Sequence, residues 1–419
     1  MSADHVISAL TTKPGILQLY SKCPVQWDKG TQGFTYTSWR KNKRVLLWHI
    51  YCFVTIDICY MAGVIYFMAK LLYKIGRPVD DLSRNVVVLL SGLLNFFGFV
   101  LHVMIWKFGE GGASGWNGFS KVEELIMHWS RGNCDTTYDN GPSSSSKYGD
   151  SATKKLIISS MLKLLNVQPI MVTASVLVLN LDPLHFCVLD ISDALKLSLH
   201  SIFALNFLRF SIIAVNAVMI CSNMKFVLIV FISSLKIQLN IFFLLLKHAK
   251  FILEQRIRFV QRIEFLVKIH LCLKLAGQRG AACQELGSIS LLFIGQLILI
   301  FSNFATLRFY NVLPFAAYQF YPSVSIVALA IASLTLPVTQ KLAENSKEVL
   351  RMLDASVLVG GSWNVKALKR KIRSMQPYSL CAVLGGIKIC LNRDTKRQYF
   401  QTGINYTINL LLGLERKSD

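Results

Sequence analysis

Residues 197–246 read LSLHSIFALNFLRFSIIAVNAVMICSNMKFVLIVFISSLKIQLNIFFLLL. The run is roughly fifty residues long against the ~20 that cross a hydrocarbon core, so it spans a bilayer once or twice. Basic residues decide between the two. The N-terminal tail, the 109–155 and 247–285 loops and the 341–376 stretch hold most of the lysines and arginines, whereas 182–193 and 313–322 are poor in them. Positive flanks stay on the cytosolic side. For the 109–155 and 247–285 loops both to be cytosolic, an even number of crossings must separate them. Residues 156–179 supply one, so 197–246 supplies one. A single helix of that length, rising 1.5 Å per residue, leaves the membrane and continues into the cytosol. Its inner half, Phe226 to Leu246, must then be covered by protein.

Composition agrees with a membrane chain. Of 419 residues 53% are hydrophobic and only 16% charged, and the mean hydropathy is +0.45, too apolar for an ordinary soluble protein. The net charge of +22 invites a nucleic-acid reading. The basic residues, however, lie in blocks between apolar runs and not on one soluble domain, so no nucleic-acid partner is expected. The ten cysteines show no CxxC spacing and several sit inside apolar runs, which reads as free thiols with no metal site.

Outward from the long run, residues 1–44 form a polar cytosolic tail ending in Arg40, Lys41, Lys43 and Arg44, without the apolar core of a signal peptide. The first span, about Val45 to Tyr73, carries one acid, Asp57, and a loop at Pro78 to Asp81 leads to the second, about Asn85 to Phe108. The polar, partly low-complexity stretch 109–155 reads as a flexible cytosolic loop holding one short amphipathic helix at Ser120 to His128. The third span, 156–179, is weakened by Lys163, Gln168 and Pro169. The fifth covers about Leu286 to Leu313 and the sixth Ser323 to Leu342, so spans one to six occupy residues 45–342. Residues 343–376 supply anchor helices in a cytosolic bundle.

The last element, 377–414, reads as a broken seventh helix: an apolar run from Tyr378 to Ile387, a polar interruption at Asn392 to Asp394, then Tyr399 to Leu414. Thr402, Asn405, Tyr406, Asn409 and Gly413 recur at three- and four-residue spacing and share one face, while Ile404, Ile408, Leu410 and Leu411 fall on others. A polar stripe in a bilayer faces water or other helices. A pore shared among copies satisfies it, and so does hydrogen bonding between packed helices. The fold class expected is therefore an all-α membrane protein of seven transmembrane helices, with a cytosolic N-terminus, long helices extending into an anchor bundle, and residues 415–419 as an extracellular tail.

At these residues the chain resembles a known family. Ile269 to Leu273 leading through Gln284 to Gly287, then Ala343 to Leu350, then Leu384 to Arg393 followed by Gly403 to Leu411, are similar to the C-terminal third of the arthropod seven-transmembrane chemoreceptor channels. The likeness is to the gustatory-receptor branch more than the odorant branch. That family's last helix carries Thr-Tyr, five apolar residues, then Gln-Phe. Tyr406 keeps its place, with Asn405, Leu412 and Gly413 at the other three positions.

The resemblance implies a plasma-membrane, ligand-gated, nonselective cation channel passing sodium, potassium and calcium. It implies a tetramer with one central pore, built of identical subunits or of this subunit mixed with another, and embedded in lipid. Thr402, Asn405, Tyr406, Asn409, Leu412 and Gly413 would line the pore, with the gate at Asn409 or Leu412. A small-molecule tastant would bind in the outer half, where Asn95, Asn206, Arg209, Tyr310, Tyr318, Phe320 and Tyr321 combine depth with polarity; interfacial aromatics also gather without a ligand. Asp57 and Arg209, each near mid-span, are expected either to pair with each other or to have one of them face a wet pocket, since lone charges there cost several kcal/mol.

No enzyme motif occurs, neither a phosphate-binding loop nor HExxH nor GxSxG, and no cofactor is implied. A secondary transporter would also use a broken helix but should show internal repeats, which are not visible. A G-protein-coupled receptor needs the opposite orientation.

Overall fold

A computed structural model describes residues 22–28, 30–73, 82–133, 160, 163–171, 173–174, 180, 182–255, 260–357, 363–384 and 386–415. Five helices among these are long and apolar enough to cross a membrane, within Lys43–Lys70, Val88–Ser130, Leu199–Leu253, Ala281–Arg308 and Phe320–Val357. The expected third span and the Pro78 to Asp81 loop lie largely outside the described residues, apart from helix at 163–171.

The first span begins at Asn42, whose side chain accepts the Arg44 N–H at 2.9 Å and caps helix Lys43–Tyr51. It widens into a π-helix over Cys52–Tyr60 and continues as Met61–Tyr73. The fourth span is one helix, Leu199–Gln255, about 85 Å long at the standard rise. The charge argument expected one continuous helix here. The sixth span, Phe320–Val357, runs unbroken through the point where anchor helices were expected to start, with Pro337 inside it, and Trp363–Ser374 forms a separate helix beyond.

Two expectations are corrected. Residues 109–133 do not form a loop: the second span is a single helix, Leu82–Asn133, through the whole glycine-rich stretch. The glycines are where another helix crosses. A Cβ on Gly111 would lie 2.8 Å from the Arg279 carbonyl, one on Gly115 3.0 Å from the Gly280 nitrogen, and one on Gly118 2.9 Å from the Ala276 Cβ. Glycines at i, i+4 and i+7 thus make the groove that receives helix Val260–Arg279. Nor is the N-terminal tail wholly a tail. Val25–Asp28 and Gly33–Tyr36 pair as a hairpin, and Asn117 on the second helix bonds both backbone groups of Phe34, at 2.9 and 2.8 Å. Trp27, Phe34 and Trp116 meet edge to face with centroids 5.0 to 5.2 Å apart.

The main core sits at this end of the molecule, where Phe242, Leu245, Leu266, Leu273, Val349 and Leu353 are fully buried. At about 1.5–3 kcal/mol per large apolar side chain, it is what holds the inner half of the long fourth helix in protein.

The C-terminal element is corrected as well. The apolar run expected to be half of a broken helix is a β-hairpin, Cys381–Leu384 paired with Ile387–Cys390, turning at a left-handed Gly386. A single helix, Arg393–Glu415, follows.

Candidate functional site

The last helix is seated by one narrow stripe. Tyr399, Gly403 and Thr407 are buried, and Leu410 and Leu411 pack on the cluster of Ile294, Ile298 and Phe304. Gln296 donates to the Tyr399 carbonyl at 3.4 Å. Much of the remainder is exposed. Asn405, Asn409 and Gly413 are exposed, Tyr406 is 56% and Leu412 57% exposed, and Thr402 is half-buried. Ile404 and Ile408 are uncovered beside the asparagines. Apart from Thr402, the polar stripe read from the sequence is exposed among the described residues. The helix itself is not among the five apolar enough to cross a bilayer on composition.

Second, an internal cavity of about 240 Å³ runs between the second, fourth, fifth and sixth spans. Its wall is mainly apolar, with Leu94, Phe97, Met104, Ile213, Met224, Ile298 and Val324, and carries Ser91, Gln168, Asn216 and Ser290 as polar points. Of the ligand candidates read from the sequence, Phe320 and Tyr321 line it. Asn95 stands one shell behind: it donates to the Ile56 carbonyl at 3.2 Å and accepts from Asn216 at 3.0 Å, fixing the amide that does line the cavity. Asn206 and Tyr310 are exposed, and Tyr318 donates its hydroxyl to the Thr306 carbonyl at 3.0 Å. Gln168 and Asn216 were not singled out from the sequence. The available signal for Asn216 was its spacing of seven from Arg209, which puts both on one helical face.

The expected Asp57–Arg209 pair does not form. Arg209 is 5% exposed and clasps Asp182, which is fully buried, through Nε at 3.1 and 3.0 Å and through Nη2. Nη1 bonds Asn180 at 3.1 Å and His185 at 3.2 Å. Asp182 also caps helix Pro183–Leu195 by accepting the His185 N–H at 2.9 Å. Asp57 instead meets His102 Nδ1 at 2.8 Å, and His102 Nε2 lies 3.3 Å from His49 Nδ1. The acid nearest in the loop wins because it is both a cap and a counter-ion, so one buried carboxylate satisfies two needs. Among the described residues no cluster of His, Cys, Asp and Glu is arranged to hold a metal.

The hairpin before the last helix is anchored from both sides. The Tyr378 N–H bonds Ser346 Oγ at 2.7 Å, and its buried hydroxyl reaches Gln284 at 3.4 Å, with burial raising its pKa. On the other side Thr395, in the first turn of the last helix, donates to the Cys390 carbonyl at 2.8 Å, and its N–H bonds the capping Asn392 Oδ1 at 2.9 Å.

No protein-family model matches the chain, and no curated protein matches it. Among solved structures, the insect olfactory receptor OR5 from Machilis hrabei in complex with eugenol superposes with a TM-score of 0.62 at 14% identity, covering 98% of this chain and 100% of that one. A second structure of the same receptor superposes at 0.55 and 15% identity, over 98% and 99%. The all-α membrane fold is that of an insect olfactory receptor, in line with the odorant and gustatory resemblance of the C-terminal third.

Proposed function

We propose that this chain, having the fold of an insect olfactory receptor, is a subunit of a ligand-gated, nonselective cation channel, and on its degraded last-helix signature a gustatory-type one. Four subunits surround one pore in the plasma membrane, each with its N-terminus in the cytosol and its C-terminus outside. The observation that carries this reading is the last helix. Its Asn405 and Asn409 face is exposed among the described residues, and amides turned to hydrocarbon cost several kcal/mol each. Copies arranged with that face toward an axis give the amides water and one another. Leu412, 57% exposed and one turn from Ile408, supplies the apolar ring that closes such a pore by dewetting.

The ligand belongs in the cavity between the second, fourth, fifth and sixth spans. At about 240 Å³ it suits a compact molecule. Its apolar wall favours an aromatic or heterocyclic tastant with one or two polar groups over a sugar, whose hydroxyls would lose water without finding partners. The superposing olfactory receptor structure is a complex with eugenol, a molecule of that kind. Nothing in the chain suggests an enzyme. Whole-cell recording during application of a panel of small phenols, heterocycles and sugars tests the reading. Inward current from the first two groups is expected, and silence with the protein verified at the surface overturns it. An image of the assembled particle should show four-fold symmetry with residues 402–413 nearest the axis.

A further inference from the structure

Two cysteines stand opposite each other at the root of the last helix. Cys381 and Cys390 are register partners across the C-terminal hairpin, and their Sγ atoms lie 2.7 Å apart. The next pair out, Leu380 and Leu391, is tied by the Leu391 N–H to the Leu380 carbonyl at 2.9 Å, so the cysteines occupy a non-hydrogen-bonded site. There the Cα atoms of an antiparallel pair approach to ~4.5 Å and the side chains lean together, within the span a disulfide bridges without backbone movement. Of the free cysteines among the described residues, only these two are within bonding reach of each other.

We infer that Cys381 and Cys390 form a reversible dithiol–disulfide couple, a modification site oxidised by a hydroperoxide and reset by a small thiol. Cys390 is the more open of the two and meets the oxidant. Its thiolate attacks the terminal oxygen of the hydroperoxide, the O–O bond breaks, the sulfur becomes a sulfenic acid, and the alkoxide (hydroxide for hydrogen peroxide) leaves. Cys381 then attacks that sulfur, the S–O bond breaks, and water leaves with the Cys381 proton as the S–S bond forms. Burial pushes the Cys381 thiol up to about 11, which leaves Cys390 as the thiol that meets the oxidant first. Two equivalents of a small thiol reverse the chemistry by exchange.

The position gives the couple a lever. Cys390 is two residues before the capping Asn392 and takes a hydrogen bond from Thr395 in the first helical turn, while the other strand follows directly on Tyr378, tied to Ser346 and Gln284. A bond across the strands makes one rigid link from the anchor to the helix. The chemistry is independent of the channel reading; an effect on current rests on it.

The test is peptide mapping of the purified full chain after graded hydrogen peroxide, with denaturation and alkylation. Trypsin cuts after Lys388, so the two cysteines fall in separate peptides, 374–388 and 389–393. The expected result is loss of two of the ten thiols, appearance of these two peptides as one linked species within a single chain, and full recovery with dithiothreitol. Cys390→Ala should leave Cys381 alkylatable at every dose, and Cys381→Ala should leave Cys390 without a disulfide partner. Two cysteines that both stay alkylatable, or that link only between chains, overturn the inference. In cells, peroxide should change ligand-evoked current at least twofold in the wild type and not in Cys390→Ala. A link that forms with unchanged current upholds the couple and strips it of a gating role, and a surface-expressed chain with no current at all counts against the channel alone.

Discussion

Replacing Arg209 by methionine should expose how the buried charge cluster is wired. Asp182 is fully buried and Arg209 nearly so, so removing the guanidinium strands a carboxylate in an environment where breaking one half of a pair costs about 3–5 kcal/mol. Asp182→Asn keeps an oxygen to cap the His185 N–H but takes away the charge that Arg209 needs, and should cost a similar amount. Asp182→Ala adds loss of the cap, about 1 kcal/mol more. In the double variant Arg209→Met, Asp182→Asn neither charge is stranded, so the two losses should fail to add by at least about 2 kcal/mol. At roughly 2 °C per kcal/mol or somewhat less for a chain of this size, each single change lowers the apparent melting temperature by about 5–10 °C. The assay is size-exclusion of heated, detergent-solubilised protein at fixed heating time, since unfolding will be irreversible. The same cycle with Asp57→Asn in place of the Asp182 change should be additive within about 0.5 kcal/mol. Coupling to Asp57 and not to Asp182 would refute the assignment.

Gly115→Ala places a methyl about 3.0 Å from backbone atoms of Gly280 and Ala276, and backbone cannot give way as a side chain can. A loss of about 1–3 kcal/mol is expected, read as reduced surface expression, whereas Gly413→Ala, which meets nothing within 4 Å in its own chain, should leave monomer stability unchanged. His270 is buried between Phe242 and Ser346, and desolvation, with Lys274 adding to it, lowers its pKa to about 4. The unfolded chain, with an ordinary histidine pKa near 6.5, binds the proton that the folded chain refuses between those values. Stability should therefore fall as pH drops from about 6.5 to 4, by about 3 kcal/mol in total, and level off below; His270→Gln should flatten that slope. Asn216→Leu removes a polar point from the cavity and leaves Asn95 short of a donor, so ligand potency should drop roughly 5- to 100-fold at a cost of about 1–3 kcal/mol, measured as the shift of the dose–response curve.

The long fourth helix was legible because the positive-inside rule counts crossings without needing local structure, and the exposed stripe of the last helix because a 3.6-residue period survives in any environment. The hairpin was missed for a definite reason. An apolar run of ten residues carries no period that separates strand from helix, and the Gly385-Gly386 pair, a two-residue turn signal, was read as part of that run. Within 109–133 the helix at Ser120 to His128 was read, but its continuity with the second span through 109–119 was missed, because glycine density suggests a loop when the partner helix is not in view, whereas the glycines serve close packing. The Arg209 partner was missed because a cap and a counter-ion are recognised by different rules, and Asp182 is both. Of the cavity, the aromatic positions Phe320 and Tyr321 could be named in advance. Asn216 and Gln168 could not, since which amides converge depends on how four helices are rotated.

The hairpin near the amino end sets a schedule for making this protein. Phe34 is held by Asn117, 83 positions further along the chain, and at typical synthesis speeds of about 5–20 residues per second that partner emerges roughly 4–17 s later. Until then the two short strands carry Trp27 and Phe34 with nothing to cover them, a stretch that a holdase would find sticky. The hairpin is thus locked only once the second helix has been made, and damage at Asn117 should surface first as a nascent-chain quality-control failure at the hairpin.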